Sequence, residues 1–577
     1  MLRYIFKALV GRLAGVGLPL AALAVFALTS FDWVGYVLCL AAIAFLWSRT
    51  SVRGLGHHLM PRVIVVSAVL IDLGRRGHLG LTADQWPLTV SGIGLLCLIA
   101  YEPLMVIALR TGRTVTHNLD VVRVGKSKLI DGRPIFVLIS VLTLVFGACA
   151  AFDLQTPIVT AIVAIAAIFS AGAVLAAWRI RKRYVRKTDS DVRDAVQKYA
   201  PKYMVHMSAP VGSEYQLLTW LPYLDRLGEP YLIVLREKHL IDKIAQATDK
   251  PIVLANSIVE LENLLVPSLK AVLYVNNGGK NLHMIRFTGL EHVFIGHGDS
   301  DKASSYSPVT AIYDRVWVAG RAGVDRYAKH GVDISLRKFR IVGRPQLDKL
   351  KVGPVSAEGK TVVYAPTWAG AADDTNYSSL GKGVAIVQAL LDRGATIILR
   401  PHPFVSRNAA SVNQLAKVEA LLTEDAAKTG RKHLFGEVTS RDMDHVDCFN
   451  MADAMISDVS GVASDWLYSE RPFAITDMHD RGATFTSDFP LAKVSYVLDK
   501  KMTRLSAVLD DLLGEDPKRA DRLAAKTYYL GDFPAERYSE AFTDEVVRIV
   551  EGRDHESEIH GPATAVIESF QDDAATV

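Results

Sequence analysis

His297 and Lys302 stand five residues apart in the stretch Phe294-Ile295-Gly296-His297-Gly298-Asp299-Ser300-Asp301-Lys302-Ala303-Ser304-Ser305. An imidazole can take up a proton near neutral pH, and an ammonium is a point charge suited to phosphate. Glycine lets the backbone approach a phosphate closely, and a helix start attracts anions. Three other turns carry comparable groups. Tyr364-Ala365-Pro366-Thr367-Trp368 offers a hydroxyl, and Arg400-Pro401-His402-Pro403 a guanidinium and a second imidazole. Ser457-Asp458-Val459-Ser460-Gly461-Val462 offers a cap, Ser460 or Asp458, that leaves N–H groups for an anion. Arg400 is a natural bidentate partner for phosphate. Any one of these turns is ordinary loop chemistry. Four of them, each suited to phosphate, point to a shared anionic ligand.

The elements that position them alternate. Short β-rich runs cover 203–207, 231–235, 252–255, 271–275, 293–295, 315–318 and 339–342. Amphipathic stretches such as 215–227 and 257–265 separate them. Gly343-Arg344-Pro345 breaks the pattern, and a second series follows at 361–364, 396–399, 454–456 and 473–475. Helical patterns at 384–393 and 462–469 lie between. Strand–helix alternation predicts parallel sheets covered on both faces. Two such halves joined near residue 345 predict two Rossmann-like lobes with the site in the cleft between them. Each of the four turns closes a predicted strand, where ligands of open α/β sheets bind.

The chain before residue 180 has a different texture. Of the 577 residues, 50% are hydrophobic, the mean hydropathy is +0.20, and the excess is concentrated in that part. Six apolar segments, 13–30, 33–47, 63–73, 88–109, 135–152 and 158–178, predict a region of about six membrane spans, the third short and carrying Asp72. Basic residues cluster before the first span, between the second and third, between the fourth and fifth, and at Arg179–Lys187 after the last. The positive-inside rule then makes the following domain cytoplasmic. Glu102 inside the fourth segment is expected to pair at a helix interface. Val124-Gly125-Lys126-Ser127 ends like a phosphate-binding loop but has Asp120 where that motif needs glycine. The basic loop around it is expected at anionic headgroups. Cys39, Cys97, Cys149 and Cys448 form no CxxC pair, which excludes the usual zinc and redox motifs. The net charge of +4 gives no reason to expect a nucleic-acid partner. After about residue 551 the chain turns acidic and loses apolar period, as a disordered tail does.

From about residue 203 to 545 the chain resembles the CDP-glycerol glycerophosphotransferase family, the teichoic acid primases and polymerases. His297-Gly298-Asp299-Ser300-Asp301-Lys302 is similar to the family's His-Gly-Thr-Pro-x-Lys. Ala365 to Trp368 matches its Ala-Pro-Thr-Trp turn, and Arg400 to Pro403 its Arg-x-His-Pro turn. Ser457 to Gly461 with Asp465 approximates its Ser/Thr-Asp-Tyr-Ser-Ser turn and following Asp. Gly343-Arg344-Pro345-Gln346-Leu347-Asp348 resembles its Gly-x-Pro-x-x-Asp. The five motifs keep the family's order. Asp299-Ser300 replaces Thr-Pro, Asp301 adds a second carboxylate, Gly461 replaces a serine, and Ala369-Gly370 stands where the family often has Arg and an acidic residue.

The resemblance implies a GT-B fold. Its lobes would be 190–344 on the acceptor side and 345–550 on the nucleotide-donor side, after a membrane region at 1–189 and before a tail at 551–577. It implies transfer of glycerol phosphate, or a similar polyol phosphate, from a CDP-activated donor to a hydroxyl of a lipid-linked glycan or polymer, with release of CMP. It points to His297 as base and assigns Lys302, Arg400, Ser460, Gly461, Thr367 and Asp458 to the donor's phosphates. His402 is either a diphosphate contact or the acid–base partner. No cofactor is required on this reading. A divalent cation is compatible with Asp299 and Asp301, and no structural metal is expected. Two other readings are a GT-B glycosyltransferase using a nucleotide sugar and a non-enzymatic polytopic export partner.

Overall fold

The computed structural model describes residues 16–49, 59–109, 115–121, 133–154, 157–355, 360–370 and 372–553. It divides into two compact units, 1–113 with 122–191, and 114–121 with 192–577.

The first unit is helical. Residues 16–28 form one helix, followed by Asp32–Arg49, Leu59–Arg75, Trp86–Leu109, Arg133–Ala151 and the 43-residue Pro157–Tyr199. Each apolar segment is thus helical, but the expected multi-span membrane region is not supported. Among the described residues no helix is long and apolar enough to cross a membrane. In three of the helices length and charge count against a span. Asp32–Arg49 has 18 residues, a rise of about 27 Å against a hydrocarbon core of about 30 Å, and has a charge at either end. Leu59–Arg75 has 17 residues and buries both Arg62 and Asp72. Asp72 accepts from Tyr36 Oη at 2.8 Å and pairs with Arg76 at 2.8 Å and Arg75 at 3.2 Å. Pro157–Tyr199 turns from apolar to basic at Arg179. Some of the apolar side chains build an internal core, with Phe26, Val66, Leu73, Leu95 and Phe146 almost fully buried, while others, among them Leu20, Trp33, Leu40, Ile165 and Phe169, are exposed. The Glu102 side chain, Val124–Ser127, residues 554–577 and most of the basic residues used for orientation lie outside the described residues.

The second unit holds two sheets. The first is β1 (Val115–His117), β2 (Tyr203–Met207), β3 (Tyr231–Leu235), β4 (Ile252–Leu254), β5 (Ala271–Tyr274), β6 (Glu291–Phe294), β7 (Arg315–Val318) and β8 (Phe339–Ile341). Its order is β1-β4-β3-β2-β5-β6-β7-β8. All pairs are parallel except β1 with β4. Every residue of β2, β3, β4 and β5 is buried, as expected of parallel strands covered on both faces. The order reverses between β2 and β5, a topological switch point. Strand β1 was not legible: three residues of a basic loop form an edge strand, with Leu119 and Val121 packed beneath the sheet.

The second sheet is β9 (Thr361–Ala365), β10 (Thr396–Leu399), β11 (Ala454–Asp458), β12 (Phe473–Asp477) and β13 (Tyr496–Asp499), all parallel, in the order β10-β9-β11-β12-β13. Its switch point lies between β9 and β11. These two doubly wound sheets bear out the α/β, GT-B-like half of the fold expectation. Strand β13 was missed because its pattern, Tyr-Val-Leu-Asp, is short and half-exposed. The chain then returns. The helix Glu540–Val550 places Phe542, Val546 and Val550 in the first lobe's core, with the Phe542 ring 4.8 Å from Trp220.

The lobes join at Gly343-Arg344-Pro345. Gly343 has φ +68°, and a Cβ there would sit 3.2 Å from the Tyr538 ring, so glycine meets two demands. Arg344 pairs with Asp465 through two bonds of 2.9 Å, both side chains buried. Its backbone N–H donates to Tyr538 Oη, which donates in turn to the Leu530 carbonyl. Arg344→Ala leaves the Asp465 carboxylate buried and unpaired. Urea unfolding of this variant should show a loss of about 3–5 kcal/mol, and an unchanged midpoint would show that Asp465 finds another partner.

Candidate active site

The first lobe supplies a turn at the end of β6. Ile295 and Gly296 N–H donate to the Tyr274 carbonyl at 3.0 and 3.2 Å, which brings the turn back over β5. Gly296 has φ +61°, and its carbonyl accepts from Trp220 Nε1 at 2.7 Å. His297 follows, with Nδ1 2.9 Å from the Val275 carbonyl. A carbonyl only accepts, so Nδ1 carries the proton and Nε2 presents a lone pair. Burial pulls the His297 pKa down to about 4, partly opposed by the Val275 bond. The imidazole is therefore neutral at pH 7.

The second lobe supplies the other histidine. His402 N–H donates to the Pro366 carbonyl at 3.0 Å, and Nδ1 accepts from Phe404 N–H at 3.0 Å. A backbone N–H only donates, so here Nε2 carries the proton. Burial lowers the His402 pKa to about 3, helped by the nearby Lys302 charge. The two imidazoles thus have opposite tautomers, one ending in a lone pair and the other in an N–H. Both rings stand edge-on to Tyr215, with centroids 5.9 Å from it.

Lys302 crosses between the lobes. Its Nζ donates to Thr367 Oγ1 at 3.0 Å and lies 5.4 Å from the Tyr377 ring centre. Burial draws its pKa down to about 8, with Asp458 opposing. The turn that carries Lys302 opens no α-helix, only the 3-10 segment Ala303–Tyr306. Asp458 does not face the cleft. Fully buried, it accepts from Thr367 N–H at 2.6 Å, Ser379 N–H at 3.1 Å and Thr476 Oγ1 at 2.6 Å. Burial raises its pKa despite those bonds. It positions the Thr367 turn. Ser457 Oγ donates to the Ala365 carbonyl at 2.8 Å and meets Ser460 Oγ at 3.0 Å. Ser460 occupies the N-cap position of Gly461–Trp466 without a side-chain cap bond. A Cβ on Gly461 would be 3.4 Å from the Asp299 carbonyl, so this turn lies against the first lobe's turn.

Two groups of sequence-predicted residues are engaged within the protein. Arg400 Nη1 donates to the carbonyls of Thr439 and Met443, the latter at 2.9 Å, and touches Cys448 Sγ at 3.7 Å. Asp299 and Asp301 are both engaged by the buried Arg326. Asp301 also accepts from Leu491 N–H at 3.1 Å and Tyr529 Oη at 3.3 Å. Among the described residues no group of three or more His, Cys, Asp and Glu is placed to hold a metal ion. Sequence reasoning missed Tyr215 and Arg326. Tyr215 follows the end of β2, beside the switch point, which was its only signal. Arg326 lies on the amphipathic helix Arg321–Lys329 and carried none.

Residues 337–490 match the model of the CDP-glycerol:poly(glycerophosphate) glycerophosphotransferase family. Over that segment the chain is similar to this family of glycerophosphotransferases. The matched segment contains the interlobe Gly343–Asp348 motif and all three second-lobe turns. Comparison with curated proteins finds no match. Among solved structures, the wall teichoic acid polymerase TagF aligns at 15% identity over 65% of this chain and 97% of its own, TM-score 0.41. A glycosyltransferase from Rickettsia africae aligns at 14% over 61% and 98%, TM-score 0.37. A UDP-GlcNAc 2-epimerase from Neisseria meningitidis aligns at 11% over 60% and 99%, TM-score 0.38.

Arg400 is the sequence-predicted phosphate contact whose side chain is most engaged within the protein. Arg400→Ala removes the donor from two carbonyls, and thermal or urea unfolding should show a loss of about 1–3 kcal/mol. A variant of unchanged stability that binds the CDP-activated donor more weakly in calorimetry would return Arg400 to the phosphate.

Proposed function

We propose that the enzyme moves glycerol phosphate, or a similar polyol phosphate, from a CDP-activated donor to a hydroxyl of a lipid-linked glycan or teichoic-acid-like polymer. One observation carries the reading: two neutral histidines of opposite tautomer, one from each lobe, face a common aromatic ring beside a half-buried lysine. The acceptor oxygen attacks the β-phosphorus and forms a new P–O bond. The bond between the β-phosphorus and the bridging oxygen breaks, and CMP leaves with that oxygen. The acceptor's proton passes to His297 Nε2, which is unprotonated at pH 7 and so open to it. His402 Nε2–H donates to an oxygen of the diphosphate, where negative charge builds on the departing CMP. Lys302 exchanges its bond to Thr367 for the diphosphate, and Asp458 keeps the Thr367 turn in place. Ser460 and the Gly461 backbone lie where a further phosphate oxygen can be met. Arg400 acts from beneath, through the 436–443 loop.

The direct test offers the full-length protein CDP-glycerol, CDP-ribitol and UDP-sugars with a polymer acceptor and scores the nucleotide released. CMP from a CDP-alcohol is the expected product. A nucleoside diphosphate released from a sugar donor alone would make the enzyme a glycosyltransferase. Within the proposed reaction, His297→Ala should lower kcat by about 10²–10⁴-fold with little change in donor KM. Lys302→Met should raise KM, because its contact is already made in the ground state. The ammonium is the binding form, so donor affinity should fall as pH rises through about 8, and Lys302→Met should abolish that dependence. A near-normal single-turnover rate in His297→Ala would remove it from the chemistry.

A further inference from the structure

We infer that Tyr215 is a positioning residue that holds the two histidines of opposite lobes in their working orientation and keeps water from both. The inference rests on His297 and His402 being the reacting pair. Tyr215 begins the short helix Tyr215–Leu218 after β2, at the switch point of the first sheet. Its ring centroid lies 5.9 Å from His297 at 81°, 5.9 Å from His402 at 86° and 5.9 Å from Phe404 at 77°. All three are edge-to-face contacts, the favoured aromatic geometry. One ring from the first lobe therefore touches a histidine of each lobe.

Its mount is stiff. Gln216, the next residue, accepts from Asn276 Nδ2 at 2.7 Å, and its N–H donates to the Ser213 carbonyl at 3.0 Å. Asn276 adjoins Val275, whose carbonyl holds His297, so Tyr215 and His297 share a foundation at the end of β5. On the other side, Arg407 lies 3.3 Å above the Phe404 ring and donates to the Val211 carbonyl, tying the 403–407 turn to the loop before Tyr215. Each imidazole is bonded at Nδ1 alone, and a ring bonded at one atom can still swing about it. The Tyr215 ring lies against both and hinders that swing, with Phe404 at 5.3 Å and Trp368 at 6.3 Å packed on His402 as well. The ring covers part of each half-buried imidazole, and burial is the chief cause of their lowered pKa values. The charged groups facing them are Arg344 toward His297, and Lys302 and Arg407 toward His402. All three lower the pKa, so none would hide a rise caused by water.

The test compares Tyr215→Ala with Tyr215→Phe in the full-length protein. The readouts are imidazole titration by NMR, assigned with His297→Gln and His402→Gln, together with the pH dependence of kcat. In Tyr215→Ala both imidazoles should titrate nearer the ordinary value of about 6.5. The neutral base is then lost at higher pH, and the acid limb of kcat should rise by at least about one pH unit. The kcat itself should fall by about 10- to 100-fold, as for a small displacement of reacting groups, with donor KM moving far less. Tyr215→Phe keeps the ring edge and should match the parent in every readout. Unchanged imidazole titration in Tyr215→Ala overturns the inference, and so does a Tyr215→Phe protein as impaired as the alanine one. If the parent releases no CMP yet the titrations shift as described, the reaction assignment falls while the hold of Tyr215 on both rings stands.

Discussion

Arg326 is the residue on which the geometry of the cleft depends. The His297–Lys302 turn carries both a histidine and a lysine, and it has two carboxylates, Asp299 and Asp301, within it. Unpaired carboxylates beside a bound diphosphate would repel it. Arg326 engages both, and Asp301 turns its remaining capacity to the Leu491 N–H and the Tyr529 hydroxyl. The negative charge is thereby spent on joining the turn to the second lobe. His297 and Lys302 are left on the cleft side.

Parallel sheets explain why the chemistry collects where it does. Every strand of the second sheet ends at the same edge, and so do all of the first sheet's strands except β1. The turns after β6, β9, β10 and β11 meet across one cleft. Backbone groups at those ends, the Val275 carbonyl and the Phe404 N–H, set the two imidazole tautomers. Burial does the rest. It holds His297 and His402 neutral and draws Lys302 toward neutrality, so one desolvated cleft tunes all three groups.

The buried charges around the cleft divide by function. Asp458, Asp465 and Asp301 each accept several bonds within the protein and point away from the ligand space. Arg400 likewise serves backbone carbonyls. The side chains gathered around Tyr215 and Thr367 include two neutral imidazoles and one lysine. Such a set can receive a doubly charged diphosphate without competing carboxylates.

Much of this was legible in the chain. Apolar runs such as Tyr203–Met207, Tyr231–Leu235, Arg315–Val318 and Thr396–Leu399 marked strands to the residue, because strands buried on both faces have a local signature. The interlobe break at Gly343 and the five motifs were equally local, and they pointed to the right family. The helices of the first unit were legible too, but their surroundings were not. A count of apolar residues does not register which of them pack together, as Phe26, Val66 and Phe146 do, and which stay exposed, as Trp33 and Phe169 do, and the reading as membrane spans is not supported. Strand β1 was hidden because three residues acquire strand character only by pairing with β4, far away in sequence. Arg326 and Tyr215 were hidden for the same reason. Their roles come from partners brought beside them by the fold: Asp299 and Asp301 for one, His297 and His402 for the other. The sequence by itself determined which residues could do the chemistry, since proton affinity and charge belong to the side chain. Only the tertiary structure decided which nitrogen of each histidine is free, which arginine the carboxylates meet and which carbonyls Arg400 reaches, because those depend on neighbours that chain order does not specify.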